Sequence, residues 1–192
     1  MSTDPFDFTI NEVITYLDNG GDFQMRNNCN ETLLHIYTDY PEIVKKIIDC
    51  GDVDTRNDFG ETALHISNNP VCVKMLIEAG ANVNAKTFAH NTPLHYIKSG
   101  ECVKLLLDAG ADPNAMNDYN NTPLYKQKET ESVKYLIKAG AKTNNKNLLG
   151  RIPRDENKYV PGACTSCEIF VLVAGIASVA LGITAMVMRF ND

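Results

Sequence analysis

The chain has 192 residues, a formal net charge of −6 and 44% hydrophobic residues. This length suits one folded domain and leaves little room for a separate catalytic domain. Because a phosphate backbone is bound by clustered Lys and Arg, the acidic balance argues against nucleic acid as a partner. The first 18 residues contain four acidic and no basic side chains. A secretory signal or basic transit peptide is therefore not predicted there, and we expect a cytosolic N-terminal domain.

A tetrapeptide that begins with Thr recurs along the chain at a constant period of 30 residues. A unit of about 30 residues is too small to bury its own apolar face, so such units stack into one continuous core and commonly bind other proteins. The period therefore predicts a repeat domain that acts as a binding module. The four copies are Thr32-Leu33-Leu34-His35, Thr62-Ala63-Leu64-His65, Thr92-Pro93-Leu94-His95 and Thr122-Pro123-Leu124-Tyr125.

Each unit reads as two helices followed by a loop. Thr is predicted as the N-cap of the first helix, with its hydroxyl accepting from amides of the first turn, and Pro93 and Pro123 fit the first helical position. This helix is expected to end near Asp39, Asn68–Asn69, Ser99 and Lys128. A second helix with apolar residues at helical spacing follows each time. Glycines in the left-handed conformation should end these second helices, at Gly51, Gly80, Gly110 and Gly140.

The loops between units lack a strand and are predicted to be hairpin-like. The residue two before each Thr is of a type that tolerates positive φ: Asn30, Gly60, His90, Asn120 and, by period, Gly150. One backbone geometry is thus repeated. Cys72 and Cys102 occupy equivalent positions of neighbouring units, too far apart for a disulfide, and we expect both thiols to be buried in the core.

Three motifs follow one another along the units, with substitutions from one unit to the next: Gly-x-Thr-Pro-Leu-His, a Val-Lys-x-Leu-Leu helix, and Ala-Gly-Ala-x-x-Asn-Ala. Together they resemble the ankyrin repeat family over Asp22 to about Tyr159. The resemblance implies an all-α solenoid of helix-turn-helix-loop units. Here each unit is three residues shorter than the usual length of about 33, and the usual Ala-Ala pair is replaced by Tyr37-Thr38, Ser67-Asn68 and Lys98-Ser99. Such compact repeats resemble in style those of large DNA viruses and intracellular bacteria.

The expected organisation is one repeat domain followed by a membrane helix. A half-repeat cap at 8–21 contains the capping box Thr9-Ile10-Asn11-Glu12. Four repeats follow at 22–51, 52–81, 82–111 and 112–141, and a degenerate closing repeat at 142–160 completes the repeat domain, residues 1–160. After this domain we predict a juxtamembrane linker at 161–168, a transmembrane helix at 169–188 and a tail at 189–192.

The resemblance places the partner-binding surface on the loop tips and the exposed side of the first helices. Aromatic side chains held at successive tips make good binding hot spots. The predicted binding residues are Asp58, Phe59, Phe88, Asp118 and Tyr119, and further tip positions are Asn28, Cys29, Ala89, Leu148 and Leu149. The alternative is that the rings of Phe59, Phe88 and Tyr119 fold back against their own loops.

Chemistry-bearing residues do not suggest an enzyme, a metal site or a cofactor site. His35, His65 and His95 are spaced 30 residues apart in a stack and cannot converge on one ion. In the family this His ties adjacent loops together, so we expect hydrogen-bonded lattice residues. No nucleophile-base grouping or glycine-rich phosphate loop occurs at a usable spacing.

Ile169–Met188 is an uncharged apolar run of 20 residues, the length of a helix that spans a bilayer. Its small residues Ala174, Ser178 and Gly182 could support a homodimer in lipid. Cys164 and Cys167 precede the run and are candidates for palmitoylation, with unmodified thiols as the alternative. More basic residues precede the run than follow it, which favours a single-pass protein with a cytosolic N-terminal domain.

The sequence thus predicts a non-enzymatic, tail-anchored scaffold that captures an unidentified cytosolic protein through its loop tips. One alternative is a membrane-active oligomer, a pore or remodelling assembly, formed by the C-terminal helix with the repeats as its regulator. Another is a soluble inhibitor or ubiquitin-ligase adaptor whose apolar tail binds a protein.

Overall fold

The computed structural model describes residues 5–49, 51–128 and 130–153. The predicted membrane helix at 169–188, the cysteines at 164 and 167 and the end of the predicted closing repeat lie outside these residues. Within the described ranges, no helix has the length and apolar character needed to cross a membrane.

Helices account for all the regular structure in the part of the chain that is described. Two short 3-10 helices, Pro5–Asp7 and Pro123–Tyr125, accompany eight α-helices in these residues. In chain order the α-helices are α1 Ile10–Asp18, α2 Leu33–Ile36, α3 Pro41–Ile48, α4 Ala63–Ile66, α5 Pro70–Glu78, α6 Pro93–Tyr96, α7 Gly100–Asp108 and α8 Thr130–Lys138. The all-helical class predicted from the repeat period is confirmed for this part of the chain.

The helices form two layers, each built by stacking equivalent elements of successive repeats. The first helices α2, α4 and α6 pack in a row that ends on the Pro123–Tyr125 turn, and the longer α1, α3, α5, α7 and α8 pack in a second row. The core lies between the layers. Fully buried leucines fill it from one repeat to the next, and the thiols of Cys72 and Cys102 are also buried, as predicted.

The N-terminal cap of the stack is α1, which packs on α3. Thr9 is its N-cap, and its backbone N–H donates to Glu12 Oε2 at 2.8 Å while Thr9 Oγ1 accepts from the Glu12 N–H at 3.4 Å. This reciprocal pair is the predicted capping box, since both atoms would otherwise be unpaired at the helix start.

The first helices are shorter than the sequence indicated. They end at Ile36, Ile66 and Tyr96, and not near Asp39, Asn68–Asn69 and Ser99. In the fourth repeat a 3-10 helix ends at Tyr125, and not near Lys128. In the second and third repeats the next residue has an extended backbone conformation, with ψ of 131° at Ser67 and 133° at Ile97. Three fewer residues per repeat leave room for only one helical turn before the second helix must begin.

Polar residues at the positions of the family's Ala-Ala pair, and directly after them, form hydrogen bonds between neighbouring repeats. Asp39 Oδ1 accepts from the backbone N–H groups of Asn68 at 2.8 Å and Asn69 at 3.0 Å. Ser67 Oγ donates to the Thr38 carbonyl at 3.2 Å. These bonds satisfy backbone groups that a longer first helix would have paired internally.

The glycine prediction is confirmed at three of four helix ends. Gly80, Gly110 and Gly140 each have φ of +89° and end α5, α7 and α8. Gly51 does not have positive φ, so that part of the prediction is wrong. A Cβ at Gly51 would lie 2.5 Å from the ring of Phe23, which shows that glycine is needed there because an aromatic ring approaches its backbone.

Threonine starts the first helices α2, α4 and α6 with a bond to a histidine ring that the sequence did not predict. The hydroxyl of Thr92 lies 3.0 Å from Nδ1 of His95, and the Thr92 backbone N–H donates to the same ring nitrogen at 3.0 Å. Thr32 and Thr62 pair with His35 and His65 in the same way. The hydroxyl therefore pairs with the imidazole of the third helical residue, within a capping box that also includes the backbone of that residue.

The fourth repeat departs from this arrangement because Tyr125 stands where the others have His. The Oγ1 atom of Thr122 is buried and has no hydrogen-bond partner among the described residues. A buried hydroxyl without a partner costs about 1–3 kcal/mol of stability.

Replacing the hydroxyl by a methyl group should therefore act oppositely in two repeats. We expect Thr122→Val to raise the free energy of unfolding by about 1 kcal/mol, because it removes an unpaired polar atom. Thr92→Val should lower it by about 1 kcal/mol, because it removes one of the two hydrogen bonds that His95 Nδ1 accepts. Urea unfolding followed by circular dichroism measures both; equal losses would contradict the proposed pairing.

Candidate protein-binding surface

The loops between repeats are narrow hairpins closed by a backbone bond at their base. In the loop that bears Phe59, the Asn57 N–H donates to the Glu61 carbonyl at 3.0 Å. In each of these loops the residue just before the second member of the closing pair has positive φ, as predicted: Asn30 61°, Gly60 73°, His90 57°, Asn120 55° and Gly150 70°. The tip residues are therefore held at the same point of each hairpin.

Neighbouring tips are joined to each other by single backbone hydrogen bonds. The Phe88 N–H donates to the Phe59 carbonyl at 3.1 Å, and the Leu148 N–H donates to the Tyr119 carbonyl at 3.1 Å. Equivalent bonds join Asp58 to Cys29 and Asp118 to Ala89. The tips thus form one continuous row whose spacing is fixed by main-chain atoms.

A column of asparagines supports the hairpins from within. Asn57 Oδ1 accepts from the backbone N–H groups of Phe59 and Glu61, both at 2.9 Å, and Asn117 Oδ1 accepts from Tyr119 and Asn121 at 3.0 Å. Sequence reasoning missed this column. Its signal was present, since Asn recurs at the 30-residue period at 27, 57, 117 and 147, and Thr87 alone departs.

Two arginines also brace the loops and were missed by sequence reasoning. Arg26 Nη1 donates to the Asn30 carbonyl and, across the repeat boundary, to the Arg56 carbonyl, both at 2.9 Å. Arg56 Nη1 likewise donates to the Gly60 carbonyl at 3.1 Å and the Lys86 carbonyl at 2.5 Å. Planar guanidinium groups suit such paired bonds.

The predicted aromatic anchors point their rings to solvent from this row. The exposed fraction is 63% for Phe59, 70% for Phe88 and 62% for Tyr119. Phe88 also rests on the preceding tip, because a Cβ at Gly60 would lie 3.1 Å from its ring. Gly60 is therefore needed both for its positive φ and for the approach of this ring.

The remaining predicted binding residues surround these rings. Asp58 and Asp118 are exposed beside Phe59 and Tyr119. His90 Nδ1 lies 2.6 Å from Asp118 Oδ1, which fixes that carboxylate at the tip. The other predicted tip positions Asn28, Cys29, Leu148 and Leu149 are exposed, and Ala89 is half-buried. All five predicted binding residues thus lie on one surface, which we call the tip row.

The imidazoles of the first helices tie each repeat to the next loop, as the family resemblance implied. Nε2 of His35 contacts the Glu61 carbonyl at 3.1 Å, Nε2 of His65 the Asn91 carbonyl at 3.2 Å, and Nε2 of His95 the Asn121 carbonyl at 2.9 Å. Because Nε2 faces a carbonyl, it carries the proton, and Nδ1 accepts from Thr.

Burial disfavours the charged form of these histidines. Desolvation lowers the pKa of His65 to about 4, with the Asn91 carbonyl opposing this effect. Desolvation also lowers the pKa of His35 and His95. All three rings are therefore neutral at physiological pH, and the described residues contain no group of three or more His, Cys, Asp and Glu that could hold a metal ion.

The stacked two-helix units and the row of presented loops define a helical repeat protein whose surface is built for binding. The family model for ankyrin repeats (3 copies) matches residues 8–87 and 68–147, and so covers most of the chain. The chain belongs to the ankyrin repeat family. A search among curated proteins gives no match. Ankyrin repeats are typically non-enzymatic modules that bind other proteins.

The histidine ties should make the fold sensitive to acid. As pH falls from about 6.5 towards 4, histidines become protonated in the unfolded chain but stay neutral in the folded one. The free energy of unfolding therefore falls, by at most about 1.4 kcal/mol per pH unit for each His. Urea unfolding at several pH values measures this slope. His65→Gln retains an amide donor without titrating and should flatten it; an unchanged slope in this variant would contradict the assignment.

Proposed function

We propose that this protein is a membrane-anchored scaffold that captures a cytosolic protein through the tip row. The observation that carries the proposal is the presentation of three largely exposed aromatic rings, on Phe59, Phe88 and Tyr119, by loops bonded to one another. Pre-organised aromatic side chains give large contact area with little entropy to lose on binding.

The composition of the tip row supports an apolar partner segment. Leu148 and Leu149 extend the aromatic surface into the last described loop, with exposed fractions of 64% and 47%. A row of exposed apolar side chains with carboxylates beside it matches the usual anatomy of a binding site, an apolar centre with a polar rim. The partner is expected to lay apolar side chains between successive tips.

Membrane anchoring is the second part of the proposal and rests on the sequence of residues 169–188. A run of 20 uncharged apolar residues is long enough to cross a bilayer as a helix. With the repeats on the cytosolic side, the protein would act by localising its partner at a membrane. Palmitoylation at Cys164 or Cys167 and a homodimer through Ala174, Ser178 and Gly182 would strengthen the attachment.

Partner capture is tested by replacing Phe59, Phe88 and Tyr119 together with Ala. Each anchor is expected to contribute about 1–2 kcal/mol, so affinity should fall at least about tenfold. Partners are first identified by proximity labelling in cells, and affinity for the purified partner is then measured by calorimetry.

The matched control removes three exposed apolar side chains that lie on α1, α5 and α8, away from the tips. The variant Ile10→Ala, Val71→Ala and Ile137→Ala should bind with unchanged affinity. Both variants should keep the circular dichroism spectrum of the parent. Equal affinity of the tip variant and the parent would show that the partner binds elsewhere.

Anchoring is tested by alkaline extraction of membranes from cells that express the full chain. A spanning helix stays in the bilayer at high pH, whereas a peripheral protein is released. We expect the protein in the pellet, and a variant that ends at residue 160 in the supernatant. Release of the full chain would contradict the anchor.

A further inference from the structure

The first-helix side of the stack changes charge along its length. The position that opens each helical unit is Glu31 and Glu61 in the first two repeats and then becomes Asn91 and Asn121. Two other columns change in the same direction. The position at the end of each first helix reads Ile36, Ile66, Tyr96 and Lys126, and the position two residues further reads Thr38, Asn68, Lys98 and Lys128.

The basic end of this gradient surrounds an open depression between the third and fourth repeats. Its volume is about 490 Å³, and Lys98, Ser99, Lys126, Gln127 and Lys128 line it. No described carboxylate is among the lining residues; Glu129, which follows Lys128 in the chain, lies outside the described residues. In a chain of net charge −6, a depression lined by three lysines is a local exception.

The walls of the depression are held in place by neighbouring groups. The ammonium group of Lys126 lies 5.2 Å from the centroid of the Tyr96 ring, within cation–π range. The side-chain amide of Gln127 donates to the Ile97 carbonyl at 2.6 Å, and the Lys98 backbone N–H donates to Asn68 Oδ1 at 3.4 Å. The same polar joins that link the shortened repeats thus shape this depression.

The three ammonium groups are not neutralised within the described residues. No carboxylate of these residues lies within 4.0 Å of Lys98, Lys126 or Lys128. A nearby carboxylate, Glu131, is 3.1 Å from Lys134 and so already has a cation beside it. Among the described carboxylates, none occupies these ammonium groups, which can therefore pair with an external anion.

The field of the cluster also reaches the buried imidazoles. Burial lowers the pKa of His95, and the nearby charges of Lys126 and Lys86 lower it further. At His65 burial also lowers the pKa, while nearby Glu61 raises it and nearby Arg56 lowers it. The charges that act on His95 are thus those of lysines alone, whereas a carboxylate and an arginine both act on His65.

We infer that the depression lined by Lys98, Lys126 and Lys128 binds an acidic segment of a protein partner, through Asp or Glu carboxylates. The volume admits a few side chains, and lysine stems supply apolar walls for their methylene groups. A nucleic acid would need basic residues along a much longer surface, and the acidic remainder of the chain repels a polyanion. The site lies apart from the tip row and extends the proposed scaffold function by a second contact of defined chemistry.

The test uses the full chain in mild detergent and labelled hexaglutamate as the probe, with hexaglutamine as the uncharged control. Anisotropy at low salt should show saturable binding of hexaglutamate alone, weakened by added salt. In Lys98→Gln, Lys126→Gln and Lys128→Gln together, affinity should fall about 3-fold or more, because three exposed ion pairs with the probe are lost.

The matched control neutralises three lysines of the second-helix layer, Lys45→Gln, Lys74→Gln and Lys138→Gln, and so changes net charge equally. It should bind hexaglutamate like the parent, and so should the tip-row alanine variant, which separates this inference from the proposed function. Equal losses in the two lysine variants, or no saturable binding by the parent, would overturn the inference. Tighter binding of a single-stranded oligonucleotide or of anionic vesicles than of hexaglutamate would overturn it as well.

Discussion

A single repeat of this chain cannot bury the apolar side of its two helices, and every other feature depends on that constraint. Each repeat is completed by its neighbour, so the leucines of one unit are covered by those of the next. Stacking then brings polar groups of adjacent units within reach. The imidazoles, the Asp39 carboxylate and the loop arginines all bond across repeat boundaries. Burial sets the distance between repeats, and these directed bonds set their orientation.

The repeat length explains where the polar joins occur. A first helix of one turn leaves backbone groups unpaired before the second helix begins, and Asp39, Ser67 and Asn68 pair them with the neighbouring repeat. Lost helix within a repeat is thus replaced by bonds between repeats. The fourth repeat keeps the tie to the next loop through Tyr125, whose hydroxyl donates to the Arg151 carbonyl, but leaves Thr122 without its partner.

Features set by local backbone chemistry could be predicted from the sequence. The period indicated the stack, and the period together with residue type located the five loop positions with positive φ. Predictions failed where a distant neighbour decides the outcome. Gly51 is fixed by the approach of the Phe23 ring from the start of the same repeat. Polar residues such as Asn57 and Arg56 read as ordinary loop residues until the fold brings backbone partners to them. The family resemblance predicted the position of the tip row, but whether its rings are exposed or fold back depends on the three-dimensional structure.

The bonds that join one tip to the next use only backbone atoms. A substitution at Phe59 or Tyr119 therefore leaves the N–H and carbonyl groups of the row in place. Phe88 is the exception, because its ring also packs on Gly60. Evolution can thus rewrite the identity of most tip side chains one at a time without disturbing the distances between them. The row is a fixed backbone frame on which side chains can be exchanged without a change in the fold.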